Sequence, residues 1–129
     1  MRLLLDTHAF IWSASSPKRL ARAARSAIED PANEVFVSAA VAWEIAIKHA
    51  MGKIELPAAP ASWLPTRVQQ LGFASLPITQ QHVLATASLP AYHRDPFDRV
   101  MIAQAQVEGL TLVSGDARVL QYPVHVLKT

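Results

Sequence analysis

Four acidic residues, Asp6, Glu44, Asp98 and Asp116, occupy positions from which carboxylates can act together. Asp6 follows directly on the run Arg2-Leu3-Leu4-Leu5, which reads as a buried strand with an acid at its carboxyl end. In open α/β sheets ligands bind in the crevice outside the carboxyl ends of the strands, so such an acid is a candidate for function. Asp116 lies just past a second strand-like run, Thr111 to Val113. Glu44 is about five residues into the helix expected after Val35 to Val37, and Asp98 is in the first turn of the helix leading down to Thr111. A helix in a right-handed βα unit starts at the strand's carboxyl edge, so the four acids are expected on one rim. At about 1.5 Å per residue, Glu44 is set roughly 8 Å inward from it.

Each acid also has an ordinary structural role open to it. Asp6 can cap the helix expected from Ala9. Glu44 can pair with Lys48 one turn later, in the favourable orientation. Asp98, three residues after the natural N-cap Asp95, suits the positive end of the helix dipole. Asp116 suits the turn at Ser114-Gly115-Asp116. Those roles do not explain a shared rim. On a helical wheel Asp98 heads the stripe Met101, Ile102 and Ala105, whereas Arg99 and Gln106 mark the polar side. The helix around Glu44 is apolar almost all round through Ile47, so it is expected to be buried on most sides, and a buried carboxylate needs a counter-charge.

Carboxylates gathered within a few ångströms raise one another's pKa and destabilise the fold unless a cation sits among them. With oxygen donors only, Mg²⁺ or Mn²⁺ is the expected ion. An ion held in that way at the rim of an α/β sheet suits phosphoryl chemistry. The absence of cysteine excludes disulfides, Cys-type zinc sites and thiol nucleophiles. His8, His49, His82, His93 and His125 are scattered without metal-ligand spacing and are not expected to be ligands.

The elements that must position these acids follow an alternating grammar. After the first strand comes a helix from Ala9, then one from Lys18 to Glu29, a strand at Val35 to Val37 and a long helix from Ala39 to about Met51. Pro57, Pro60 and Pro65 punctuate the next stretch, with a helix at Trp63 to Leu71 and a strand at Ala74 to Leu76. Thr79 caps a helix to about Ala87. Asp95, with Pro96 at the first helical position, opens a helix that ends at Gly109. Thr111 to Val113 and Val124 to Val126 are the last strands. The expected fold is a three-layer α/β/α sandwich formed by a single domain over residues 1–129, a length able to bury a substantial core. Asp6 breaks the N-terminal apolar run too early for a signal peptide, and Val35 to Ile47 contains Glu44 and is too short to span a bilayer. A soluble, cytoplasmic protein is expected. Its net charge of +2 and pI near 9.3 permit a polyanionic partner without announcing one.

Four segments carry a resemblance: Leu5-Asp6-Thr7-His8; Ser38 to Lys48, with Trp43-Glu44 at its centre; His93-Arg94-Asp95-Pro96-Phe97-Asp98-Arg99 followed by Ile102-Ala103-Gln104-Ala105; and Val113-Ser114-Gly115-Asp116. In this order and spacing they resemble the PIN-domain ribonucleases, specifically the VapC-type toxins of bacterial toxin–antitoxin pairs, along the whole chain. The resemblance implies a central five-stranded parallel sheet, a Mg²⁺ or Mn²⁺ site and endonucleolytic cleavage of RNA, leaving a 5′-phosphate and a 3′-hydroxyl. It assigns Asp6, Glu44, Asp98 and Asp116 as metal-binding acids, the last being the most variable in the family, and Thr7 and Ser114 as supporting hydroxyls. Asp95 is left as the helix cap. Whether one ion or two act is open. An antitoxin partner and a homodimer are implied as well.

Arg94 and Arg99 flank the acid cluster and are candidates for contact with substrate phosphate, against the ordinary alternative of solvated side chains. Lys18, Arg22 and Arg25 form a basic stripe on the second helix, either a solvated face or an RNA track. Trp43 and Trp63 are expected in the core rather than as base-stacking platforms. Two other functions stay open: a PIN-like module without catalysis that binds RNA or a partner, and a Mg²⁺-dependent phosphatase of haloacid dehalogenase type. The phosphatase usually needs a second Asp two residues after the first, and here that position is His8.

Overall fold

The computed structural model describes residues 1–129. Five strands, β1 (Arg2–Leu5), β2 (Glu34–Ser38), β3 (Ala74–Leu76), β4 (Thr111–Val113) and β5 (Val126–Leu127), form one sheet in the order β3-β2-β1-β4-β5. Every pairing is parallel. Six α-helices, α1 (Thr7–Ser15), α2 (Arg22–Glu29), α3 (Ala39–Ala50), α4 (Pro60–Gln70), α5 (Gln80–Ala85) and α6 (Pro96–Glu108), supply the crossovers. The chain steps outward from β1 through β2 to β3 and then resumes on the other side with β4, so the order reverses between β1 and β4. That reversal is the topological switch point, where a parallel sheet opens a crevice at its carboxyl edge.

Central parallel strands are covered on both faces and read as unbroken apolar runs. Leu3, Leu4 and Leu5 are completely buried and belong with Val35, Val37, Leu112 and Val113 to a core cluster of 25 residues. The register pairs Leu5 with Val37 on one side and with Val113 on the other. The residues that follow these three therefore emerge side by side: Ser38 as the last residue of β2, Asp6 just after β1 and Ser114 just after β4.

Local signals start and stop the helices that matter. Asp6 caps α1, Ser38 caps α3 and Asp95 caps α6, each through its side chain. Gln104, midway along α6 and fully buried, accepts a hydrogen bond from the Ser38 hydroxyl at 2.6 Å. This bond ties the cap of α3 to α6 and sets two crossover helices against each other. Gly109 ends α6 with φ at +67°, a left-handed conformation that only glycine adopts without strain.

Several elements depart from the sequence expectation. The helix expected from Lys18 to Glu29 is divided: Pro17–Arg19 forms a 3₁₀ turn, Leu20 and Ala21 are extended, and α2 starts only at Arg22. Lys18, Arg22 and Arg25 consequently share no continuous helical face, and Arg25 pairs with Glu29 at 2.9 Å. The last strand sits later than expected, at Val126–Leu127, because Pro123 has no N–H and Val124 turns its own N–H back to the Tyr122 carbonyl. Helix α3 is not buried on most sides. Ala40, Val41, Glu44 and Ile45 face inward, whereas Trp43 is 59% exposed and packs edge-on against Phe97. Trp63 is buried as expected, against Phe10. No helix is long and apolar enough to cross a membrane.

Gly109 offers a clean test of the backbone argument, because a Cβ built there meets nothing within 4 Å. Gly109→Ala should lower the unfolding free energy by about 1 kcal/mol through backbone strain alone, measured by urea denaturation. Gly109→Asn should lose less, since asparagine tolerates the left-handed region better.

Candidate metal centre

The four acids reach one cleft of about 570 Å³ at the carboxyl edge of β1 and β4, lined also by Thr7, His93, Asp95 and Arg118. A larger cleft, about 720 Å³, opens beside α2 and α4 and contains none of the four acids. Chemistry therefore points to the smaller one.

Asp6 is held at the switch point by its backbone as well as its side chain. Its N–H donates to the Val113 carbonyl at 3.0 Å, continuing the β1–β4 pairing, while its Oδ1 accepts from the Ala9 N–H at 2.8 Å. It is thus the helix cap and a wall of the cleft at once. Burial pushes its carboxyl above the ordinary range, an effect only partly offset by the Ala9 N–H and the Ser114 hydroxyl. Glu44 projects from the buried face of α3. The Thr7 hydroxyl donates to its Oε1 and the Lys48 ammonium to its Oε2, so the helical ion pair and the cleft position are both realised. The hydrogen bond to Glu44 in turn raises the Lys48 pKa.

Asp98 sits in the first turn of α6, where Asp95 accepts both the Phe97 and Asp98 N–H groups as cap. Burial pushes Asp98 up to about 6, helped by the charges of Asp95 and Asp6 and opposed by a hydrogen bond from His93. Asp116 is more open. Partial burial raises it, but hydrogen bonds from the backbone N–H and guanidinium of Arg118 outweigh that and leave its carboxyl below the usual range. Ser114, completely buried, accepts the Asp116 N–H at 3.2 Å and so braces the loop after β4.

The arginines expected near phosphate are placed otherwise. Arg99 directs its guanidinium inward to the carbonyls of Thr86, Leu89, Pro90 and His93 and to the Tyr122 hydroxyl. Arg94 is exposed and does not line the cleft. The cations that do line it are Arg19, Lys48, Arg118 and Lys128. The sequence reading also passed over His93, which is 5% exposed, with Nε2 2.7 Å from Asp98 Oδ2 and 3.5 Å from Asp116 Oδ2. Its signal was its place five residues ahead of Asp98, masked by the absence of any second histidine in ligand spacing.

Oxygen donors dominate this cleft. His93, Asp98 and Asp116 bring one donor atom each within 4.8 Å of one another, with Asp6 and Glu44 on the same wall system. Two desolvated carboxyls held above their ordinary range are what a site shaped around a hard divalent cation presents when protein charges alone do not neutralise it. The residues present fit such an ion.

Taken with the parallel sheet and its switch-point acids, the family comparison is decisive: the PIN domain model matches residues 3–124, and the chain belongs to the PIN-domain family. Among individual relatives, it is 33% identical over 117 residues to Ribonuclease VapC22 of Mycobacterium tuberculosis, covering 90% of this chain and 88% of that one. Ribonuclease VapC16 of the same organism is 33% identical over 78 residues, 54% of this chain and 55% of that protein. The fold is also that of a chain in the crystal structure of VapBC2 from Rickettsia felis bound to a DNA fragment from its promoter. There the TM-score is 0.75 at 14% identity, with 100% of this chain and 99% of that chain covered.

The raised Asp98 has a consequence for stability. Its folded-state value, about 6, lies above the ordinary 3.8, so ionising it in the folded protein costs stability. That cost is absent below pH 3.8 and fully felt above about pH 6, and raised Asp6 acts in the same direction. Asp98→Asn, which keeps an acceptor for His93, should therefore stabilise the metal-free protein at pH 7.5 by on the order of 2 kcal/mol, with the gain vanishing towards pH 4. Thermal melts at the two pH values check it.

Proposed function

We propose that this protein is a metal-dependent endoribonuclease and the toxin of a VapBC-type toxin–antitoxin pair, acting as a single PIN domain in the cytoplasm. The observation that carries the reading is the convergence of Asp6, Glu44, Asp98 and Asp116 on one cleft, two of them forced up by burial. The ribonuclease names of its relatives and the VapBC complexes that share its fold support the substrate and the antitoxin partner. A homodimer belongs to the same proposal.

Asp6, Glu44, Asp98 and Asp116 would hold Mg²⁺ or Mn²⁺. Such an ion, when bound, supplies Lewis acidity to a water and to the phosphate oxygens, for in-line cleavage to a 5′-phosphate and a 3′-hydroxyl. The chain's own residues do the rest. Thr7 and Lys48 fix the rotamer of Glu44, Ser114 braces the Asp116 loop, and the Asp6 carboxylate is anchored by the start of α1. Of the cations lining the cleft, Lys48 and Arg118 are paired with Glu44 and Asp116, which leaves Arg19 and Lys128 to meet the phosphates of a polyanion.

With Mg²⁺ or Mn²⁺ the purified protein should cleave structured RNA, and chelation should stop it. Asp6→Asn should lose activity about a hundredfold or more, since one metal-binding charge contributes several kcal/mol to transition-state stabilisation, while circular dichroism shows the fold retained. Wild-type cleavage rates in that variant would defeat the acid-cluster mechanism. The apo protein should also melt at higher temperature on adding millimolar Mn²⁺.

A further inference from the structure

We propose that His93 is a positioning residue of this centre: through Nε2–H it engages one oxygen of Asp98 and presents the other to the cation, without itself becoming a ligand. The proposal rests on the metal-centre reading above and extends it to a residue outside the four acids.

Because His93, Asp98 and Asp116 bring donor atoms within 4.8 Å, they also read as a nitrogen–oxygen ligand trio. Two observations favour the hydrogen bond. Ligands about 2.1 Å from one ion and at right angles to each other stand about 3 Å apart. The separation of His93 Nε2 and Asp98 Oδ2 is 2.7 Å, the length of a charge-assisted N–H···O bond. The second observation is the far side of the ring. A ligating imidazole carries its proton on the other nitrogen and hands it to an acceptor. His93 Nδ1 is buried and has no partner. Ligation through Nε2 would strand an N–H donor in dry surroundings, whereas the tautomer with the proton on Nε2 leaves only a lone pair there.

The ring is also built to stay put. The His93 backbone N–H donates to the Tyr122 hydroxyl at 2.9 Å, and its carbonyl accepts from Arg99 at 3.1 Å. Tyr122 donates in turn to the Pro90 carbonyl at 2.7 Å, and Arg99 gathers the carbonyls of Thr86, Leu89 and Pro90. The segment before α6 is thereby fastened at several points around one imidazole. Asp98 Oδ2 is engaged, and Oδ1 is left for the cleft.

Mn²⁺ binding tests this without reference to RNA cleavage. Pulsed electron paramagnetic resonance of Mn²⁺ in the wild-type protein should show no directly coordinated nitrogen. Mn²⁺ titration should show affinity weakened about tenfold or more in His93→Leu, within the range for loss of an outer-shell partner. His93→Gln, which retains an N–H on a longer arm, should recover most of it, and His93→Asn, too short to reach Asp98, should not. Rescue by Gln and not by Asn separates positioning of a carboxylate from mere filling of space, and His93→Asn serves if His93→Leu does not fold. A directly coordinated nitrogen in the wild type would overturn the proposal, as would wild-type Mn²⁺ affinity in folded His93→Leu or His93→Asn. A wild-type protein that binds no Mn²⁺ at all would remove the metal-centre reading and this proposal together.

Discussion

The constraint on which the rest depends is the placing of negative charge inside a low-dielectric edge. Asp6, Glu44, Asp98 and Asp116 each meet a different compensating group: the Ala9 N–H, the pair Thr7 and Lys48, His93, and Arg118. The compensation is uneven. Glu44 and Asp116 have cations against them, whereas Asp6 and Asp98 remain above their ordinary range because burial outweighs what their neighbours return. In a domain with a net stability of about 5–15 kcal/mol, such a cost is felt. The leucines of β1 and the apolar stripe of α6, all buried, belong to the core against which that cost is set.

Much of this was legible in the amino-acid order. Runs such as Leu3-Leu4-Leu5 are recognisable as central strands because a parallel strand has two covered faces, and Asp95-Pro96 with Gly109 brackets α6 through cap chemistry that acts locally. The convergence of the acids followed from handedness and needed no knowledge of side-chain contacts. What escaped was tertiary in origin. Apolar residues surround α3 almost entirely through Ile47 and do not reveal which side faces out, so Trp43 was expected inside and lies at the surface. Nothing within Lys18 to Glu29 announces that Leu20 and Ala21 turn extended, at a break where Leu20 joins the core.

Arg99 shows the same limit at the site. A charged residue beside two acids reads as a substrate contact, yet its planar fork of donors matches a cluster of backbone carbonyls in the segment before α6. Between Thr86 and Asp95 the carbonyls of Thr86, Leu89, Pro90 and His93 are gathered by this one guanidinium, with the Tyr122 hydroxyl sharing Pro90. Precision at Asp98 is therefore inherited from a residue that does not line the cleft.

The reversal of strand order between β1 and β4 has a bearing on when the acids can come together during folding. Asp6 follows β1, whereas Ser114 and Asp116 follow β4, a strand distant in sequence that lies beside β1 in the sheet. Asp6 and Asp116 come together only when β1 and β4 pair, because Leu5 and Val113 are partners in register. Non-local parallel pairing is slow to form for the same topological reason. The complete acid set is therefore tied to the formation of that one non-local pairing.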